Sequence, residues 1–261
     1  LMSVQAVETT SPIRNQVSNE EWGARVTLAA GHRVLAHYGV NDMTYNHFSL
    51  RVPGEPNHFL VKPTNWMFNE VTASSLHKFD LDGNPVAPHE GKNCIGGALI
   101  IHGAMLKGRP DLDSVLHTHT PEVMGVSSHK FGLLPISQHS MRFYGEMKYH
   151  EFNGFEFDAA MTPRLIKDLD GGKYALLRNH GALICGNSVP ECVVNHHWLD
   201  MACKGQVAAL AAGDGNYLIP DEEACEYAAQ QFKDAGAFLN GSKDWAACLR
   251  LADRLDPSYK N

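Results

Sequence analysis

The sequence predicts a single α/β domain, and two observations carry that expectation. Helix-like and strand-like segments alternate along the whole chain, with no linker or low-complexity stretch between them. The 261 residues are 44% hydrophobic and 20% charged, which supplies enough apolar material for one large core. Residues 1–18 are polar and expected to be a flexible segment, with 19–261 forming one domain that ends in a helical extension. A net charge of −7 with scattered signs gives no basic surface for nucleic acid. No apolar run is long enough to span a bilayer, and the first residues lack a signal-peptide pattern. The six cysteines form no CxxC pair, which suggests free thiols in a reducing compartment, so a cytoplasmic location is expected.

Ser18-Asn19-Glu20-Glu21 reads as a capping box opening a helix that Gly39 ends. After the turn-rich stretch 41–47 come a strand at 48–52, a turn at 53–56 and a return strand at 59–61. A short strand is expected at 78–81, before the turn Asp82-Gly83-Asn84, and a buried, glycine-softened helix at 93–107. Pro110 and Asp111 break that helix ahead of the next strand. Residues 121–129 read as a short helix, 133–136 as a short strand and 163–169 as a helix. Two short strands fold about Asn179-His180-Gly181 within 174–186. Ser188-Val189-Pro190-Glu191 is a second capping box, opening a long helix to Gly213, and a last helix covers 221–238.

The chemistry is concentrated at Ser114-Val115-Leu116-His117-Thr118-His119-Thr120-Pro121-Glu122. Val115 and Leu116 read as the end of a buried strand, and residues two apart on an extended chain share a face, so His117 and His119 point together. Thr120 and Pro121 start a helix, with Glu122 in its first turn. Two imidazoles held this way make half of a metal site, though such a pair equally packs in a core or hydrogen-bonds in a loop. The turn at Asn179-His180-Gly181 is the natural source of a third ligand, with Gly181 able to take a positive φ and to let backbone approach closely, and His180 standing at the tip. Three histidines at strand ends hold one divalent metal with open positions, and zinc, manganese and iron all accept imidazole.

Val115-Leu116-His117-Thr118-His119-Thr120-Pro121, Leu177-Arg178-Asn179-His180-Gly181-Ala182-Leu183 and Asn46-His47-Phe48-Ser49-Leu50-Arg51 together resemble the class II aldolase/adducin family, over roughly residues 19–215. Asp256-Pro257-Ser258-Tyr259 is similar to its bacterial adducin-like branch. The resemblance implies a three-layer α/β/α sandwich around a largely antiparallel sheet, a homotetramer with sites at subunit contacts, and His117, His119 and His180 as metal ligands. It also exposes departures. Where the sugar-phosphate aldolases carry Ser-Ser-Glu, this chain has Gly96, Gly97 and Ala98, so two phosphate-gripping hydroxyls and the acid/base carboxylate are missing. Tyr45 and Asn65 stand where the family often has glycine, while Asn46 remains. A non-phosphorylated substrate is therefore expected.

Replacements for the missing groups are open. His102 lies one helical turn after Ala98 and is a candidate acid/base or extra ligand, and equally a buried structural histidine. Tyr144, with Glu146 and His150, sits in a polar aromatic stretch that is a second candidate. Asn46, Lys62 and Thr64 are candidate substrate contacts, Arg178 a further carboxylate grip, and Trp66, Met67 and Phe68 a candidate apolar wall. Three functions follow: a metal-dependent decarboxylase or retro-aldol lyase acting on an oxo- or aromatic carboxylate, a non-haem Fe(II) oxygenase, or a non-catalytic adducin-like binding module. The lyase reading leads, because decarboxylation needs an electron sink and one proton but no carboxylate base.

Overall fold

The computed structural model describes residues 13–88, 97–154, 162–213 and 215–261, with the side chains of 97 and 98 outside that set. Eight α-helices and seven strands are present among the described residues. The strands are β1 (His47–Val52), β2 (Glu55–Val61), β3 (His77–Asp80), β4 (Ser114–Thr118), β5 (Met147–His150), β6 (Tyr174–Leu177) and β7 (Gly181–Gly186). They form one sheet in the order β3-β2-β1-β4-β7-β6-β5. Every neighbouring pair is antiparallel except β5 and β6.

Alternation along the strands makes two cores. Leu60, Leu116, Leu176 and Ile184 face one layer, which includes α1 (Asn19–His37) and α6 (Val189–Leu210). Their neighbours Phe59, Val115, Ala175 and Leu183 face the other layer, formed by α2 (Gly97–Gly108) and α5 (Thr162–Leu169). The remaining helices are α3 (Pro121–Ser127), α4 (Gln138–Met141), α7 (Glu222–Ala235) and α8 (Trp245–Leu255). The expected three-layer α/β/α sandwich around a largely antiparallel sheet is the observed fold.

Local chemistry explains the boundaries. Ser18 Oγ accepts from the Glu21 N–H at 3.0 Å, as a capping residue should. Glu21 does not complete the box. Its carboxylate is buried and taken by Arg25 and Lys78, each at 2.9 Å. Ser188 caps α6 in the same way, while Glu191 reaches Asn187 N–H and Lys173. The expected strand at 133–136 does not form, because its backbone is engaged by side chains: Leu133 N–H donates to Tyr149 Oη and Leu134 N–H to Gln206 Oε1. Sequence reading also missed α8 and ran α7 on to 238. Gly236, at φ +52, ends α7. After α8, Arg33 holds Asp256 at 2.7 Å, and Tyr259 is buried. Within the segment expected to be flexible, Ile13–Asn15 form a 3-10 turn, and residues 1–12 lie outside the described set.

Candidate metal centre

The site stands where the central strands end. β4 runs antiparallel to both neighbours, with His117 opposite His47 of β1 and Leu183 of β7. The turn between β6 and β7 therefore arrives beside the end of β4. There the Nε2 atoms of His117, His119 and His180 converge at 2.8, 3.1 and 3.2 Å from one another. At the usual imidazole–metal distance of about 2.0–2.1 Å, nitrogens bound at right angles or slightly wider are separated by about 3 Å. The triangle fits one divalent ion. Three imidazole lone pairs aimed at one point have no donor among themselves, so a cation is the partner that suits them.

The outer nitrogens are fixed as such a site requires. His117 Nδ1–H donates to the Ala182 carbonyl at 2.9 Å, and His119 Nδ1–H to Asp42 Oδ2 at 3.0 Å. Both bonds set the tautomer that leaves Nε2 free to ligate. Burial, reinforced by the imidazoles of His119, His180 and His47, holds His117 well below the ordinary histidine range, so it stays neutral. The backbone around His119 is pinned from three sides. Its N–H donates to Asn46 Oδ1 at 3.0 Å, Thr118 Oγ1 bonds His196 Nε2 at 2.8 Å, and Thr120 Oγ1 donates to Asp200 Oδ1 at 2.7 Å.

Gly181 keeps one of its two expected roles. Asn179, not Gly181, takes the positive φ of the turn, at 57°, and Gly181 is required for the close backbone approach. A Cβ at Gly181 would stand 2.2 Å from the Thr118 carbonyl oxygen. The glycine lets β4 and the β6–β7 turn approach closely enough for His180 to meet the other two ligands.

Behind the three ligands lies a fourth imidazole that spacing did not reveal. The His47 ring is 5.8 Å from that of His117 and 5.9 Å from that of His102. His102, on α2, is fully buried, bonded through Nδ1 to Ser49 Oγ at 2.6 Å, and lowered to about 3 by burial and then by the Lys62 charge. It is a neutral residue behind His47, outside the group of three converging imidazoles. Lys62 is buried as well and donates to the Thr44 and Pro63 carbonyls at 3.0 and 3.3 Å. Thr64 follows β2, half-buried.

Tyr144 is a correction. β5 runs parallel to β6 with Met147 opposite Tyr174, so Tyr144 lies beyond the Tyr174 end of β6, whereas His180 lies beyond Leu177 at the other end. Tyr144 stands instead near the acidic start of α7, where Glu222 acts on it. Its companions are likewise engaged elsewhere: Glu146 with Lys233 at 2.6 Å, and His150 with Asp168 at 2.6 Å. Arg178 lies over the Tyr149 ring and donates to the His129 carbonyl at 2.6 Å. Gly96 falls outside the described residues, and Gly97 and Ala98 open α2.

Asp42 was also missed, since an acidic residue in a turn carries no spacing signal. Asp42→Ala is expected to weaken metal binding about 10- to 100-fold with the fold intact, because an unanchored ligand ring loses orientation. Competition against a chelating dye measures this, and unchanged affinity would remove Asp42 from the site.

A two-core α/β sandwich with three convergent imidazoles at the ends of its central strands defines a protein with the framework of a metal-dependent class II aldolase. The chain belongs to the class II aldolase/adducin family: residues 26–207 match the family described as Class II Aldolase and Adducin N-terminal domain. An aldolase II superfamily protein from Pseudomonas syringae superposes with a TM-score of 0.91 at 39% identity, covering 96% of this chain and 100% of that one. A candidate class 2 aldolase of Caulobacter vibrioides is 39% identical over 252 residues, 96% of each chain. Alpha-adducin of Rattus norvegicus is 39% identical over 195 residues, which is 73% of this chain and 26% of adducin. L-fuculose 1-phosphate aldolase from Glaciozyma antarctica shares the fold, with a TM-score of 0.79 at 24% identity over 98% of this chain and 96% of that one. Among the described residues no helix is long and apolar enough to cross a membrane.

Proposed function

We propose that this protein is a divalent-metal-dependent carbon–carbon lyase, acting by decarboxylation or retro-aldol cleavage on a non-phosphorylated oxo- or aromatic carboxylate. The observation that carries the reading is the convergence of three imidazoles, His117, His119 and His180, with no carboxylate among them. When bound there, a divalent ion keeps its full charge and serves as a Lewis acid and electron sink for a carbonyl or carboxylate. The chain's own residues orient and shield. Asp42, Asn46 and the Ala182 carbonyl hold the ligand rings and their backbone in place. Lys62, buried beside His47 and His102, adds a fixed positive charge behind the centre that favours an anionic substrate. His47 lies between His102 and the ligand His117, and we assign it the proton-handling position for which the sequence offered His102; His102 then acts through it as a positioning residue.

The test is to purify the protein without added metal or chelator, measure its metal, and assay oxo-acids and aromatic carboxylates under argon with zinc or manganese. Turnover without oxygen is expected. Activity that requires dissolved oxygen and iron would replace the lyase with an oxygenase, which the same three imidazoles suit. The identity to adducin supports a second reading, a binding module, on which His117→Ala would leave the biological role intact.

A further inference from the structure

On a different face of α6 from the one that turns toward the metal centre, a cavity of about 490 Å³ opens between α1, α6 and α8. Two consecutive histidines mark the division. His196 turns to Thr118 beneath the ligands, and His197 lines the cavity. The floor is apolar, built from Val34, Val193 and Val194, all buried. Its walls are aromatic: Tyr38 stacks at 4.6 Å on His197, and Trp198 at 4.5 Å on His139. At the rim stand Lys243 and Arg254, and neither has an ion-pair partner among the described residues. One carboxylate, Asp244, shares the rim, so the formal balance is two cations to one anion.

Such a volume is that of a small-molecule pocket. An apolar floor with aromatic sides favours a flat or branched hydrocarbon body, and two uncommitted cations at the mouth favour a carboxylate at its end. We propose that this cavity binds a small aromatic or branched-chain monocarboxylate, as an effector site separate from the metal centre. A ligand there would rest on His197, next in sequence to the His196 that holds Thr118, and on Tyr38, at the end of α1. From Tyr38 the chain passes directly into the turn carrying Asp42, which orients His119.

Phenylacetate is the probe, with phenylacetamide as its neutral counterpart, titrated calorimetrically into the full chain. Saturable binding of the acid is expected, with the amide weaker by about tenfold or more. The pair Lys243→Gln with Arg254→Gln, and separately Ala247→Trp, which fills the mouth, should each weaken phenylacetate by about tenfold or more. All three positions are exposed, so thermal melts should match the parent. His117→Ala should leave phenylacetate binding unchanged, which keeps this result separate from the fate of the lyase reading. No saturable binding overturns the proposal, as does equal affinity for acid and amide. Loss of binding in His117→Ala with the cavity variants unaffected also overturns it, by placing the carboxylate at the metal.

Discussion

His180→Ala strips the protein of its divalent metal and abolishes the activity that depends on it. The expected loss of affinity is on the order of a hundredfold or more, since losing a residue that merely orients a ligand already costs up to about that much. Two imidazoles would remain, His117 and His119, 2.8 Å apart and still held by Ala182 and Asp42. They form a weaker chelate that the wash steps of a purification empty. The fold should survive. His180 sits in a turn whose conformation is set by Asn179 at φ 57° and by the clearance at Gly181, and neither depends on the imidazole. Metal per chain by mass spectrometry, with circular dichroism as the fold control, decides the matter. Full metal occupancy in the variant would refute the three-histidine assignment.

Acid should unfold the protein well above the range in which its carboxylates titrate. His32 and His102 are fully buried and lowered to about 3, and His196 to about 4, in each case by burial first. In the unfolded chain the same rings take up protons below about pH 6.5. The native state then binds fewer protons than the unfolded one, so stability is fully present above pH 6.5 and falls as pH drops toward 4 and 3. Three rings at about 1.4 kcal/mol each per pH unit give a limiting slope of roughly 4 kcal/mol per pH unit. Urea midpoints measured from pH 7.5 down to 4.5 on metal-free protein test this. His102→Asn, which keeps a partner for Ser49 without the titrating ring, should remove about a third of the slope. A flat profile across that range would show that these rings are not neutral when folded.

The parts of the site that repeat at fixed sequence spacing were legible in advance, and those set by strand pairing were not. His117 and His119 are two residues apart on a strand end, so their shared direction follows from strand geometry alone. His180 was legible because a turn between two apolar strands has to place one side chain at its tip. His47 meets His117 only through the register of β1 on β4, 70 residues apart in sequence, and nothing local encodes that pairing. Tyr144 failed for the same reason. An aromatic, polar stretch looks like a cleft border until the parallel alignment of β5 with β6 carries it to the far end of the sheet. The strands at 48–52, 59–61 and within 174–186 were legible as apolar runs, whereas the strand expected at 133–136 was lost to Tyr149 and Gln206, distant side chains that claim the N–H groups of Leu133 and Leu134.

The ligand rings are carried by neighbouring strand ends, and those of His117 and His119 are braced by Ala182 and Asp42, so the metal site owes its shape to the backbone ladder rather than to the ion. Capture of the ion should then resemble a key entering a finished lock: its speed is governed by how fast the ion sheds water, and its release leaves the lock unchanged. A cavity of this kind discriminates poorly among ions of similar size and affinity for nitrogen. The identity of the resident metal, and with it the chemistry performed, would be decided by what the surroundings supply when the protein is made.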